Sequence, residues 1–268
     1  MNLRRRFVFR GCASAFGGHL IRPKDIVLES PGASALPVTG GRSVSTLSRT
    51  RFDEFFQIES ASTFAEGLFE DRHRFLDFTN HKVEEDTLAA VTHVRAEVAG
   101  LVVGRKPRMT VKHLRSELHA RSPLQSGQPS IKIGNVAVDG VDIDGYKLVV
   151  ELNTSPFQKC DTHAKLLVAA DDPKFVEESN GHYIQASYDT VYTTIVKSIR
   201  WDGKPFPGSQ IEHNKVTLPD FGRVYFGELL ISHDSRRLTM IRMALGSDSG
   251  GSASGADAQD NGGWSWVP

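Results

Sequence analysis

The sequence predicts an α+β fold that is mainly antiparallel β, a sandwich or a barrel, with two to four short helices. Residues 87–103 alternate between apolar and polar side chains, which is typical of a long strand with one solvated face. Two Asp-Gly steps, Asp139-Gly140 and Asp144-Gly145, separate short apolar-alternating runs and predict a β-meander. Because strands and helices do not alternate regularly along the chain, a parallel α/β fold is not expected.

The bulk composition is that of a soluble globular protein without an obvious charged partner. The chain has 268 residues, and its 32 basic and 32 acidic side chains give a formal net charge of zero. A chain of this size buries roughly 70–75% of its unfolded surface, so it can hold a core without metals or disulfides. The balanced charge makes nucleic acid an unexpected partner. No apolar run approaches the roughly 20 residues of a membrane span.

Composition divides the chain into three parts. Residues 1–51 are basic and rich in Pro, Gly and Ser, which predicts an extended arm. Residues 52–246 contain the periodic apolar segments and are expected to form one β-rich globular body. Residues 247–268 are mostly Gly, Ser, Ala and Asp with an aromatic tip, which predicts a flexible tail.

The amino-terminal segment is unusually basic. The first 24 residues contain six basic residues and no acidic one, a composition shared with organellar presequences, so organellar targeting stays open. Arg10 interrupts the apolar stretch after three residues, and a secretory signal peptide is therefore not expected. The favoured interpretation is a cytoplasmic protein in which Arg6 to Arg10 form an edge strand or an arm on a neighbour.

The body is predicted to open with a helix. Thr63 and Glu66 have the spacing of a capping box, in which each side chain satisfies a backbone N–H group near the other. Phe64 and Leu68 would then belong to the buried stripe of the helix. Gly67 weakens the pattern because glycine disfavours a helix interior.

A second helix is predicted after the long strand. Val111, Leu114 and Leu118 recur at helical spacing behind Thr110. The outer face of this helix would carry three basic or titratable side chains, namely Lys112, Arg115 and His119.

Two further helices and a hairpin are predicted towards the carboxyl end. Residues 160–170 and 171–181 each have a helical pattern, the latter with Asp172 as its cap and Pro173 in its first position. Residues 222–246 are rich in β-branched and aromatic side chains and predict a hairpin.

Several motif fragments lack the context that their chemistry requires. Residues 248–251 (DSGG) have the letters around a chymotrypsin-like serine, but the segment is too poor in apolar residues to hold an oxyanion hole. Residues 73–80 and 220–222 match parts of kinase motifs, but Phe75 replaces the catalytic acid. Residues 140–151 match a calcium loop except at its first position, and flanking strands favour a turn instead.

A cluster of acids and histidines is the first candidate metal site. Asp71, His73, Asp77 and His81 lie close together in the sequence, and carboxylates and imidazoles are ligands of divalent ions. On one continuous helix the two histidines would lie about 12 Å apart, so the set can share an ion only if the helix ends between them. His93, on the polar face of its strand, is the alternative, with ligands from elsewhere. No cofactor other than such an ion is expected.

Two tryptophans near the carboxyl end are the main candidates for partner binding. Trp264 and Trp266 lie two residues apart, so in an extended chain both indoles point the same way. They are expected to anchor the tail on the body or on a neighbouring copy. The other candidates for partner contacts are basic: Arg4, Arg5, Arg6, Lys112 and Arg115.

These features favour a non-enzymatic structural or assembly protein. Its subunits would be joined through the arm and the tail, as a homo-oligomer or with other protein subunits. The first alternative is a metal-assisted hydrolase that uses residues 71–81 or His93. The second alternative is a ligand-binding β-barrel. The sequence identifies no substrate.

Overall fold

The structure of the protein is a computed structural model that describes most of the chain. The described residues are 4–22, 25–52, 55–70, 88–124, 128–179, 185–186, 190–246 and 250–267. They form mostly antiparallel strands with three short helices, so the predicted fold class is confirmed.

The strands of the first half are β1 (Arg4–Val8), β2 (Gly11–Leu20), β3 (Ile26–Leu28), β4 (Ala33–Ala35), β5 (Gly41–Leu47), β6 (Thr50–Phe52), β7 (Phe56–Ile58), β8 (Ser60–Phe69), β9 (Ala89–Val103) and β10 (Met109–Pro123). Those of the second half are β11 (Ser130–Ile133), β12 (Ala137–Asp139), β13 (Val141–Ile143), β14 (Tyr146–Leu152), β15 (Gln185–Ala186), β16 (Thr190–Thr194), β17 (Val196–Trp201), β18 (Gln210–Glu212), β19 (Lys215–Leu218), β20 (Gly222–Ser232), β21 (Arg236–Leu245), β22 (Gly251–Asp260) and β23 (Gly263–Val267).

Most of these strands belong to two large antiparallel sheets. The first sheet has the order β17-β14-β13-β10-β9, with β11 and β12 also along β10. On the other side of β9, β8 carries β5 and β7 carries β6. The second sheet has the order β15-β16-β20-β21-β22-β2, with β3 and β4 along β2 and β18-β19 beside β20. Strands β1 and β23 form a separate two-stranded ribbon.

The two sheets pack face to face as a sandwich. Strands β8, β9 and β10 lie against β2, β21 and β22, and the inward side chains of both sheets form one hydrophobic core. In the described part of the chain neither sheet closes on itself, so the alternative of a barrel does not apply.

The three helices lie between β14 and β15. They are α1 (Ser155–Lys159), α2 (His163–Ala169) and α3 (Pro173–Glu178). The Thr162 side chain caps α2 by accepting from the Lys165 N–H, and the Asp172 side chain caps α3 by accepting from the Lys174 N–H. Both predicted helices of this region are confirmed. None of the described helices is long and apolar enough to cross a membrane.

The predicted hairpins are confirmed at two of three positions. Strands β20 and β21 form the hairpin expected within residues 222–246. Asp144 and Gly145 both have positive φ angles and join β13 to β14, as expected for an Asp-Gly turn. Gly140 instead interrupts a nearly straight run, because β12 and β13 both pair with β10.

Gly140 belongs to a crease that crosses the first sheet. On four neighbouring strand segments, two consecutive residues that are not buried separate two buried residues. The inward side chains therefore shift from odd to even positions, or the reverse, while the pairing register between strands stays the same. Gly100 and Gly140 have φ angles of 65° and 62° in this row, a conformation that favours glycine. The buried pairs on either side of the crease are Ile58 and Ala61, Val98 and Leu101, Val111 and Leu114, and Val138 and Val141.

The helix predicted behind Thr110 is wrong, because this segment is strand β10. Val111 and Leu114 are three residues apart only because the crease lies between them. Beyond the crease the buried residues alternate again, but buried Ser116 hides the alternation from a hydrophobicity pattern. The apparent helical spacing therefore arises where two strand alternations, shifted by one residue, meet at the crease.

The helix predicted from Thr63 is also wrong, because this segment is strand β8. Its inward positions are small, including Ala61, Ala65 and Gly67, while large apolar Phe64 and Leu68 face outward. Gly67 must be small because a β-carbon there would lie 2.5 Å from the Phe9 ring. Small inward residues thus conceal the alternation of this strand, and the outward Phe64 is covered by Arg42 and Arg95.

The prediction of a flexible carboxyl-terminal tail is wrong for residues 251–260. These residues form the buried strand β22 between β21 and β2. Ala253, Ala256 and Ala258 are buried there. Small side chains let β22 approach the facing sheet closely, so a composition typical of flexible linkers here reflects tight packing. The prediction of an extended amino-terminal arm is likewise wrong, because residues 4–52 contain β1 to β6 and β2 lies beside β22.

Candidate metal centre

A row of titratable side chains covers the outer face of the first sheet. Strand β9 presents His93 outward, and β10 presents Glu117 and His119 outward, while the residues between them face the core. In the register of the two strands His119 lies directly opposite His93. This cross-strand position places the two imidazole rings side by side.

His93, Glu117 and His119 converge on one point. Their potential ligand atoms all lie within 4.8 Å of one another. The Glu117 Oε1 atom is 2.9 Å from His93 Nε2 and 3.3 Å from His119 Nε2. The two rings are stacked, with centroids 4.1 Å apart and planes 15° from parallel. We call these three residues the metal triad.

The surroundings fix the Glu117 carboxylate with one oxygen towards the histidines. Its Oε2 atom accepts hydrogen bonds from Arg115 Nη2 at 2.8 Å and from the Asn135 backbone N–H at 3.3 Å. Gly134 allows this chain segment to approach, because a β-carbon there would lie 2.7 Å from Glu117 Cγ. Oε1 is therefore held in place beside both imidazoles.

Electrostatics favour the metal-binding protonation states of two members. Burial acts to raise the pKa of Glu117, but hydrogen bonds from Arg115 and His93 outweigh it and the pKa lies below its ordinary value. Burial and the nearby charge of His93 lower the pKa of His119, despite the attraction of Glu117. A carboxylate and a neutral imidazole are the forms that coordinate metal ions.

Two of the distances are close to those around a tetrahedral ion, and the stacked imidazoles would have to turn for both nitrogens to face it. Around Zn²⁺ with ligand distances of about 2.0–2.1 Å, adjacent ligand atoms lie about 3.3 Å apart. The separations of 2.9 and 3.3 Å from Glu117 Oε1 to the two nitrogens are close to this value. The His119 side chain is 36% exposed, so an ion held here would keep one side towards solvent.

Two charged side chains flank the metal triad across the sheet. Glu66 of β8 lies opposite His93, and Lys132 of β11 lies opposite His119. Glu66 is half-buried, and it forms no hydrogen bond or ion pair with any residue that the structure describes. A base and a cation thus stand on either side of the histidine pair.

A second ionic cluster continues along the same face. His113 Nε2 lies 2.9 Å from Glu97 Oε1, and His113 Nδ1 lies 3.3 Å from Asp139 Oδ2. Arg115 connects the two clusters, because its guanidinium contacts both Glu97 and Glu117. Both nitrogens of His113 are already engaged by carboxylates, so this cluster is not a comparable ligand set.

The metal candidates predicted from the sequence have different outcomes. Asp71, His73, Asp77 and His81 all lie outside the described residues. His93 lies in the metal triad, and its partners come from β10. The alternation His113-x-Arg115-x-Glu117-x-His119 is the signal that could have located them. The expectation of a helix concealed it, because residues two apart on a helix, such as Glu117 and His119, point in different directions.

The predicted partner-binding residues are dispersed. Trp264 is half-buried and packs against Phe7, with ring centroids 5.2 Å apart, and its Nε1 donates to the Ser122 carbonyl at 3.0 Å. Arg6 is exposed on the ribbon, and Lys112 is exposed at the crease. Arg115 lies beside the metal triad. Arg4, Arg5 and Trp266 take part in the backbone pairing of β1 with β23.

Comparison with known proteins gives a family but no function. A family model described as a domain of unknown function, DUF8256, matches residues 7–189. The matched region includes the metal triad and most of the first sheet, whereas β16 to β23 lie beyond it. No curated protein and no solved structure matches the chain.

Proposed function

Because the chain belongs to the DUF8256 family of unknown function, we propose its function from its own geometry: the protein binds a divalent transition-metal ion at the metal triad. The observation that carries this proposal is the convergence of His93 Nε2, His119 Nε2 and Glu117 Oε1 within 4.8 Å. Two imidazoles and one carboxylate favour Zn²⁺, Fe²⁺, Ni²⁺ or Cu²⁺ over Mg²⁺ and Ca²⁺, which prefer oxygen ligands.

The supporting residues are those that a metal site requires. Arg115 and the Asn135 N–H hold the oxygen of Glu117 that faces away from the histidines. Such outer contacts fix ligand orientation and contribute to affinity. Three protein ligands leave a coordination position for water or for an external ligand. The proposed function is therefore reversible binding of an accessible ion rather than a closed structural site.

Zinc titration of a metal-free preparation tests this proposal. We expect one Zn²⁺ per chain by calorimetry and elemental analysis, and no binding of Mg²⁺ under the same conditions. His119→Gln should weaken Zn²⁺ binding more than about 100-fold, since loss of a ligand exceeds the 10–100-fold effect of outer contacts. At a free Zn²⁺ concentration of 100 times Kd, binding should stabilise the fold by about 2.7 kcal/mol.

The matched control is His113→Gln, which changes a histidine of the same strand face outside the metal triad. Its Zn²⁺ affinity should equal that of the parent protein within a small factor. The proposal is wrong if the parent protein binds no stoichiometric Zn²⁺, or if the two glutamine variants bind it equally well.

Metal-assisted hydrolysis is a second candidate function, favoured by the carboxylate of Glu66 on the neighbouring strand beside His93. An ion held by the metal triad would supply Lewis acidity, and Glu66 would be placed to accept a proton from a water that adds to the carbonyl carbon of an ester. The ester C–O bond then breaks, and the proton passes to the departing alkoxide. Lys132 would attract an anionic substrate group.

Hydrolysis of a p-nitrophenyl ester by the Zn²⁺-loaded protein tests this second candidate. Glu66→Gln should keep Zn²⁺ affinity and lose the hydrolytic rate by at least about 100-fold, the usual contribution of general base catalysis. Ester hydrolysis no faster than that of free Zn²⁺ would argue against catalysis and leave metal binding unaffected.

A further inference from the structure

Strand β5 is an edge of the first sheet. It pairs with β8 on one side, and no strand of the described residues pairs with its other side. Arg42, Val44 and Thr46 point to the outer face of the sheet and are exposed, Val44 by 55%. Among the described residues, the backbone N–H and C=O groups along this side have no strand partner, and such groups can pair with a further strand.

The sequence of β5 contains few of the devices that protect sheet edges. The segment GRSVSTL has no lysine, proline or acidic residue, and Arg42 is its one charge. Natural edge strands are usually shortened, charged or interrupted, since an open seven-residue edge is a template for pairing. This strand instead keeps its full length and places an apolar residue at its centre.

We propose that two copies of the protein pair antiparallel through β5, around a two-fold axis at Val44. Val44 is the fourth of the seven residues in Gly41–Leu47, so this register pairs the strand over its full length. Val44 then faces the partner's Val44. Such a contact is isologous, and it closes after two subunits.

The charges of β5 are compatible with this register. Arg42 faces the partner's Thr46, so the two arginines are four residue positions apart, about 13 Å along the strand. A register moved by two residues towards Arg42 would halve this distance, and one moved by four would place the arginines opposite each other. Centring on Val44 thus combines the longest pairing with well-separated charges.

Apolar packing continues across the same joint. Val44 lies opposite Phe64 of β8 in the first sheet. The dimer would therefore align Phe64, Val44, the partner's Val44 and the partner's Phe64 in one row on the outer face. Cross-strand apolar pairs of this kind each stabilise a sheet. The row is self-complementary, which favours a second copy over an unrelated partner.

Light scattering coupled to size exclusion tests the association. We expect a dimer for the parent protein and a monomer for Val44→Lys, because a lysine pair at the axis repels and remains solvated. Val168→Lys is the matched control, since Val168 is 77% exposed on α2 and distant from β5, and it should stay dimeric. A monomeric parent protein, or loss of the dimer in the control as well, would overturn the proposal.

Disulfide trapping tests the register independently. In a Cys12→Ser, Cys160→Ser background, Val44→Cys should cross-link under mild oxidation, since directly opposed residues have Cα atoms about 4.5–5.5 Å apart. The Thr46→Cys variant alone should not form a disulfide-linked dimer. A mixture of the Thr46→Cys and Arg42→Cys variants should form one, because these two positions face each other in the proposed register. Equal cross-linking of the Val44→Cys and Thr46→Cys variants alone would refute the register. Neither experiment requires a metal ion, so the outcome is independent of the metal triad.

Discussion

Arg236 and Asp260 form an ion pair that is almost completely shielded from water. Their side chains are 2% and 1% exposed, and they face each other across β21 and β22. Arg236 also donates to the Gly262 carbonyl at 3.0 Å, and Asp260 accepts from the Gly262 N–H at 3.2 Å. The pair therefore fixes the turn by which β22 continues into β23.

Removing one charge of this pair should be costly. We expect Asp260→Asn to lower the free energy of unfolding by about 3–5 kcal/mol, because it leaves the Arg236 guanidinium buried without a counter-charge. Urea denaturation measures this loss. Asp234→Asn is the control, since that side chain is 91% exposed, and its effect should stay within about 0.5 kcal/mol. Equal effects of the two substitutions would contradict the role assigned to the buried pair.

Cys12 should react slowly in the folded protein. Burial, together with Asp257 and Asp260, outweighs Arg237 and raises the pKa of this thiol. In a Cys160→Ser variant, iodoacetamide at pH 8.5 should therefore modify the folded protein more slowly than the urea-unfolded chain.

The raised pKa of Cys12 also has a consequence for stability. Above about pH 9 the unfolded state ionises first and binds fewer protons, so this thiol makes stability fall as the pH rises. Equal alkylation rates in the folded and unfolded states would contradict this assignment.

At the scale of elements, the crease explains both the shape of the first sheet and the errors of sequence interpretation. Gly100 and Gly140 change the buried face in the same row of the sheet. The second sheet has a similar row, in which Gly227 and Ala256 have positive φ angles on either side of Met240. Each sheet can therefore bend around the shared core.

Substitution at the crease tests its structural importance. Gly100→Ala should destabilise the protein by about 2–3 kcal/mol, since its φ is positive and its β-carbon would lie 2.6 Å from Glu59 Cβ. Thermal denaturation measures this change. At Gly263 no atom lies near the added β-carbon and φ is not positive, so Gly263→Ala should be nearly neutral. At Gly145 φ is positive but no atom lies near the β-carbon, so Gly145→Ala measures the effect of φ without a clash. A neutral Gly100→Ala would show that the crease tolerates a side chain.

The local signals in the sequence predicted the elements that local chemistry determines. The caps of α2 and α3, the turn at Asp144-Gly145 and the uninterrupted part of β9 all depend on neighbouring residues. Strands β8, β10 and β22 were missed because their patterns depend on the facing sheet and on the crease. Of the metal triad, the sequence indicated His93 as a possible ligand but not its partners Glu117 and His119, because their position requires β10 to be a strand in register with β9.

At the scale of the whole molecule, the first and last described strands lie side by side. Strand β2 pairs with β22 in the second sheet, and β1 pairs with β23 in the ribbon. Phe7, Phe9 and Trp264 fix the ribbon against the first sheet, partly through a cluster with Phe69. The segments with the least apolar composition thus complete the core, because their small residues permit close approach of the sheets.

Truncation after Gly246 distinguishes this arrangement from that of a flexible tail. Removal of β22 would expose the buried edges of β2 and β21, which otherwise flank it, and would open the core between the sheets. We expect the shortened chain to lose its near-ultraviolet circular dichroism and its cooperative thermal transition. A synthetic peptide of residues 250–268 should restore both, since β22 can reinsert between its neighbours. If the truncated chain instead unfolded cooperatively at the temperature of the full-length protein, β22 would contribute no essential packing and the segment would behave as the tail that its composition predicts.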